Sequence, residues 1–385
     1  MRGQINNLLL SLTFCSNVLM VKNNSLGTLS LKENFMNNIK LRKVRNDWMP
    51  EGSGAAAGGV LPRFLGSPDD ALRAFEQEIP HWYEYDEEPL ASADTLLTDD
   101  VGIVNGVGYR KDKESIFLIH ASASSAYHTS VRNIVTALAL RRLIENEYNV
   151  FLFDMPKVMN FMVGSAFKSV FIPGINTELQ ELSQLLGDSF ISWIRKGLIN
   201  ANQIHIVGFC FSAQLSGNIG RYVSAMNGGN KIKSITALDP FSLGLSGFFN
   251  KPISKDDAQL VHIYHTNSMA FGTFHRRGTA DFIFNNGWTQ PGCYFTLHES
   301  CSHWKALKYF WNVILYPDLW VARSCPSWLR FKFCLCNSRA TVPITFPPME
   351  GARGSHYLNT LAHKPYGAGP QAANCYMRKK EKAMP

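Results

Sequence analysis

Beyond its first two dozen residues the sequence has no hydrophobic run long enough to cross a bilayer, and it contains no internal repeat. A polytopic membrane protein and a solenoid are thereby set aside. Charge is also sparse: 18% of residues are Asp, Glu, Lys or Arg against 45% hydrophobic, a balance that excludes extended disorder and predicts a packed core. Metal-binding spacing is lacking too. Cys334-x-Cys336 is too close for a paired zinc knuckle and no His pair lies beside it, so neither a metal nor a cofactor is expected. Nor do the cations form a nucleic-acid-binding stripe. Lys40, Arg42, Lys43 and Arg45 cluster near the start, whereas 69–100 is strongly acidic, a pattern of solvated surfaces that predicts no nucleic-acid partner.

What remains is a chain of 385 residues with a net charge of +8, long enough for one large α/β core and positive enough to favour an anionic membrane surface. Residues 1–21 begin with Arg2 and run through an interrupted apolar stretch that suits a signal peptide. Residues 22–68 contain Gly52-Ser53-Gly54-Ala55-Ala56-Ala57-Gly58-Gly59, so they are expected to form a flexible, propeptide-like arm. A single domain is expected over 69–366 and a solvated tail over 367–385. Of eight cysteines, five crowd between Cys293 and Cys336, as a disulfide framework does, which places the chain outside the cell. If Cys15 leaves with the leader, an odd number remains, and Cys210, remote from the others, is the expected unpaired thiol. Cys325 is expected to pair with Cys334 or Cys336.

Apolar strand-like runs at 115–120, 148–153, 204–207, 232–238 and 259–265 alternate with helical spacing at Val131, Ile134, Val135 and Leu138 and with a long helix over about 177–196. This alternation predicts an α/β fold, a mostly parallel central sheet with helices on both faces. At its centre, Gly208-Phe209-Cys210-Phe211-Ser212 reads as small-x-Cys-x-small at a strand-to-helix junction. Small residues two before and two after a nucleophile let a strained turn pass close to its neighbours, the form of a nucleophile elbow. Asp239 and His303 then follow in chain order as acid and base, the order of α/β-hydrolases.

The segment 204–217 resembles the elbow of the pancreatic lipase and phospholipase A1 superfamily. Ile235-Thr236-Ala237-Leu238-Asp239-Pro240 looks like its acid strand, 281–293 is similar to its D-F-Y-P-N-G-G-x-Q-P-G-C signature, Cys301-Ser302-His303 to its C-x-H, and 354–360 to its closing strand. This resemblance, from about Trp82 to Tyr366, implies an α/β-hydrolase fold with Cys210 in place of the nucleophilic Ser, Asp239 as acid and His303 as base. It further implies an oxyanion hole made by the backbone N–H groups of Phe211 and Ser122, and a Cys293–Cys301 disulfide tying a short lid that holds Tyr294, Phe295 and Leu297. A short lid resembles the phospholipase A1 type. His120-Ala121-Ser122 departs from the His-Gly that the family carries there. The expected function is that of a secreted carboxylic-ester hydrolase scaffold, for phospholipid or neutral acyl esters, with a lipid or acyl-ester ligand as partner and weak or lost turnover. The alternative is a non-catalytic lipid-binding or storage protein similar to the yolk proteins of insects.

Overall fold

The structure is a computed structural model, in which residues 40–44, 94–96, 109–121, 129–141, 147–155, 158, 175–242, 249–293 and 301–375 are described. In chain order the strands are β1 (Lys40–Val44), β2 (Asp94–Leu96), β3 (Glu114–Ile119), β4 (Tyr148–Asp154), β5 (Ile204–Phe209), β6 (Ser234–Leu238), β7 (Leu260–His265), β8 (Ala280–Phe284), β9 (Val321–Ser324), β10 (Thr341–Pro343) and β11 (Gly354–Leu358). They form one sheet in the order β10-β9-β11-β8-β7-β6-β5-β3-β4-β1-β2. The seven strands from β11 to β4 are parallel, and antiparallel pairs close both edges. All six residues of β5 are buried, as a strand covered on both faces requires.

Among the described residues four helices do the covering: α1 (Thr129–Leu140), α2 (Ile175–Arg195), α3 (Phe211–Met226) and α4 (Cys301–Leu315). Successive strand side chains point to opposite faces. Phe117 of β3 therefore stacks on Phe151 at 4.9 Å and meets Phe190 of α2 edge-on at 4.8 Å, while Leu118 faces the other way, toward Val131 and Ile134 of α1 and Leu307 of α4. Phe117, Phe151, Phe153, Phe190 and Trp193 are all fully buried. Each such side chain stabilises the fold by about 1.5–3 kcal/mol.

Two segments differ from their sequence-based expectation. Within the expected arm, Lys40–Val44 pairs with Val150–Asp154 of β4, with Leu41 buried. The edge of β4 would otherwise leave a row of N–H and C=O groups unpaired. The presumed solvated tail is packed as far as Cys375: Ala372 and Ala373 are buried, Asn359 N–H donates to Ala372 O at 2.8 Å, and Cys375 is bonded to Cys334. Of the two partners open to Cys325, the structure has Cys336.

At the N-terminal ends of the central strands, Glu114 binds His205 Nε2 at 2.6 Å and also Lys233, while His205 Nδ1 meets Ser234 Oγ. The His205 hydrogen bond, with help from Lys233, holds the Glu114 carboxyl down at about 2. A depressed carboxyl contributes stability that is complete above its unfolded value and is lost as pH falls through the folded one. Glu114→Gln is thus expected to lower unfolding free energy by about 2 kcal/mol at pH 7 and to flatten the acid limb between roughly pH 4.5 and 2. Urea unfolding across that range measures it, and equal slopes for parent and variant would contradict the assignment.

Candidate active site

β5 ends at Phe209 and α3 starts at Phe211, so Cys210 alone makes the turn between them, with φ 62° and ψ −121°. A non-glycine residue at positive φ costs on the order of 1–3 kcal/mol and persists only where its surroundings impose it. Here they do. Cys210 N–H donates to Leu238 O at 3.0 Å, and Cys210 O accepts from Ala213 N at 3.2 Å and from Phe241 N at 3.1 Å. The turn passes so close to Gly208 that a Cβ there would stand 2.4 Å from Ser212 O. Cys210 is buried and outside every disulfide.

The register of β5 with β6 aligns Phe209 with Leu238, which sets Cys210 and Asp239 side by side just past the ends of neighbouring strands. Asp239 is fully buried and also has positive φ, 41°. Its Oδ2 accepts from His303 Nδ1 at 2.6 Å. Its Oδ1 accepts from the backbone N–H groups of Thr266 at 2.8 Å and Asn267 at 3.1 Å. A carboxylate on Nδ1–H leaves the neutral imidazole's lone pair on Nε2. That nitrogen is buried and, among the described residues, without a hydrogen-bond partner. Phe209 and Phe271 hold the imidazole from either side, with ring centroids 4.5 Å and 5.3 Å away, so it lies against the residue that precedes the thiol.

A second layer fixes this pair. Gln290 N–H donates to Ser302 Oγ at 2.9 Å, next to His303, and Gln290 Nε2 donates to Thr266 O at 2.9 Å, so one residue ties the base to the loop that clamps the acid. Asn267 Oδ1 accepts from Phe271 N at 3.0 Å and shapes the 267–272 turn. Gly272 belongs to that turn because a Cβ there would stand 2.6 Å from Asp239 Oδ1. Beyond β3, His120 Nδ1–H donates to Ala121 O at 2.7 Å, and its Nε2 accepts from Met155 N at 3.0 Å. Burial pushes this imidazole below its ordinary value and keeps it neutral, as both bonds need. Ser212 Oγ donates to His120 O.

Of the residues singled out in the sequence, Asp239 is bonded to His303, Cys210 and Phe211 follow the end of β5 beside the end of β6, the ring of Phe209 before the thiol lies against His303, and Cys293 is bonded to Cys301. Ser122 and the lid residues Tyr294, Phe295 and Leu297 lie outside the described residues. Thr266, Asn267, Gly272 and Gln290 are not marked by the sequence analysis as site residues, and Ser212 is marked there only for its size. Gln290 also carries a signal, its place in the 281–293 motif.

The sequence pattern of the family described as Lipase matches residues 85–366. Curated relatives include "Probable phospholipase A1 magnifin" of Vespa magnifica, 31% identical over 57% of this chain, and a phospholipase A1 of Vespa velutina, 30% identical over 57%. A phospholipase A1 of Dolichovespula maculata is 37% identical over 34%. The chain spans 65%, 72% and 43% of these relatives' own lengths. Among solved structures, a phospholipase/carboxylesterase from Dyadobacter fermentans aligns with a TM-score of 0.24 and 17% identity over 40% of this chain and 64% of that one, too low a score to add to the fold described above.

Proposed function

Because the chain belongs to the lipase family, we propose that it is a secreted carboxylic-ester hydrolase of slow turnover, working through a thiol and accepting phospholipid or neutral acyl esters. The observation that carries this reading is the intact Asp239–His303 pair with its buried, unpartnered Nε2. The three disulfides support an oxidising, extracellular setting.

In the proposed reaction His303 Nε2 takes the proton of Cys210 as Sγ attacks the ester carbonyl carbon, and Asp239 stabilises the imidazolium that forms. The carbonyl oxygen becomes an oxyanion, received by the backbone N–H of Phe211, a donor left open by the start of α3, and by that of Ser122. Collapse breaks the C–O bond, His303 returns the proton to the leaving alcohol, and a thioester on Cys210 remains. Water, deprotonated by His303, then releases the fatty acid and regenerates the thiol. Turnover is slow because sulfur is larger than the oxygen the family uses and because Ala121 replaces a glycine beside the oxyanion donor.

The test is intact-mass analysis after brief exposure to a short p-nitrophenyl ester. An acyl adduct on Cys210 that hydroxylamine removes is the expected result; an unlabelled Cys210, or an adduct elsewhere, sinks the thiol mechanism. The second reading, a lipid-binding protein without turnover, rests on the same replacements at Cys210 and Ala121. It predicts acyl-chain binding with no adduct.

A further inference from the structure

β9 leads into a loop, 325–340, closed by the Cys325–Cys336 disulfide and tied to Cys375 through Cys334. Its inner side is fully accounted for. Ser327 caps a one-turn helix, Trp328–Lys332, by accepting from Arg330 N, and Trp328 and Phe331 pack on Tyr357 with ring centroids at 6.2 and 5.8 Å. Arg323 donates to the carbonyls of Asn337, Arg339 and Ala373, which locks the loop to the segment before Cys375. Its outer side is different. Leu329, Phe333 and Leu335 are each 66% exposed, more than any other large apolar side chain among the described residues. Isolated exposed apolar residues are ordinary, but three within seven residues on a doubly stapled loop are not.

We propose that this loop is a docking surface for an anionic phospholipid bilayer, in which Leu329, Phe333 and Leu335 enter the boundary between headgroups and acyl chains while Arg330, Lys332 and Arg339 bind lipid phosphates. The charge pattern selects this occupant. Arg330, Lys332 and Arg339 are exposed, and no acidic residue occurs between Asp318 and Glu350. Apolar anchors interleaved with cations match an anionic interface, where each Lys or Arg near the surface adds attraction. Protein interface cores are instead depleted in Lys. A second copy is disfavoured because a two-fold contact through this patch would bring like charges together.

This surface stands apart from the chemistry proposed above and does not depend on it. Cys325 N–H donates to the carbonyl of Ser355 at 3.0 Å near the start of β11, whereas Cys210 and Asp239 follow the C-terminal ends of β5 and β6, strands parallel to β11 within the same sheet. The test is co-sedimentation of the full chain with vesicles of phosphatidylcholine alone and of phosphatidylcholine with phosphatidylserine. The parent is expected to bind the mixed vesicles and scarcely the neutral ones. Phe333→Asp with Leu335→Asp is expected to weaken that binding more than about tenfold, as is Arg330→Glu with Lys332→Glu. All four positions are exposed, so thermal unfolding should match the parent, and Cys210→Ala should bind vesicles as the parent does. A parent that ignores anionic vesicles, or folded variants that bind as well as it does, overturns the proposal. A concentration-dependent dimer abolished by Phe333→Asp, with no vesicle binding, overturns it in favour of self-association.

Discussion

Asp239→Asn is expected to suppress ester turnover as fully as Cys210→Ala, by about a thousandfold or more, although it removes nothing from the nucleophile. The reason lies in how the two carboxylate oxygens are used. Oδ1 accepts two backbone N–H groups and Oδ2 accepts His303 Nδ1–H. An asparagine oxygen can keep the first pair only if its amide nitrogen turns toward His303, and that nitrogen is a donor. Nδ1 must then accept, the ring proton moves to Nε2, and no lone pair is left to take the thiol proton. The reverse orientation sets the amide against two buried N–H donors, which costs on the order of 1–3 kcal/mol. Initial rates on a short acyl ester, read across pH, separate this from a loss of folding. The Asn variant should recover in part at high pH, where the thiol ionises without help, and Cys210→Ala should not. Cys210→Ser keeps the Asp239–His303 pair and restores the oxygen for which the family's site is built, so it is expected to turn over at least as fast as the parent. A silent, well-folded Ser variant would instead move the defect to His120-Ala121-Ser122 and favour the lipid-binding reading.

The sequence makes the strand, turn and helix around Cys210 legible because each has a local cause: β-branched residues in 204–207, small residues flanking the turn, and helical spacing after it. It also makes legible which acid meets which base, since Asp239 follows an apolar run and His303 sits two residues after a cysteine in a resembled motif; the structure has them bonded at 2.6 Å. What it hides is set by partners distant along the chain. Lys40–Val44 is basic and lies in a long polar region, so nothing local marks it as a strand; the open edge of β4 makes it one. The Cys334–Cys375 bond is invisible for the same reason, its ends being 41 residues apart. Gln290, Asn267 and Gly272 matter only because folding brings a strand end, a turn and a helix start within hydrogen-bond reach of one carboxylate. Ser212 is a case where one residue was read for its size while its hydroxyl also acts, holding the carbonyl of His120.

Gly208→Ala should be strongly damaging, and its effect should fall on folding before chemistry. The new Cβ would lie 2.4 Å from Ser212 O, 2.6 Å from Ser212 C and 2.6 Å from Ser216 Oγ. Two of those atoms are backbone in the first turn of α3, so no side-chain rotation relieves the contact. β5 cannot retreat, because Gly208 itself is paired with Ile119 of β3 on one side and with Ala237 of β6 on the other. α3 cannot rise either, since Cys210 N–H and O are bonded to Leu238 and Phe241, and Gln214 bridges Phe241 O and Ile253 N. Overpacking that neighbours can absorb costs about 1–3 kcal/mol; with every route closed, a loss of about 3 kcal/mol or more is expected. In a domain of this size that lowers the melting temperature by about 5 °C or more. Differential scanning calorimetry on parent and variant measures it, and Gly228→Ala offers a control, since at that turn glycine an added Cβ would meet nothing within 4 Å. That control carries only the strain of positive φ, about 1 kcal/mol. If Gly208→Ala melts no lower than Gly228→Ala, the turn is not held against α3 as tightly as these contacts require, and the strained conformation of Cys210 would lose its physical basis.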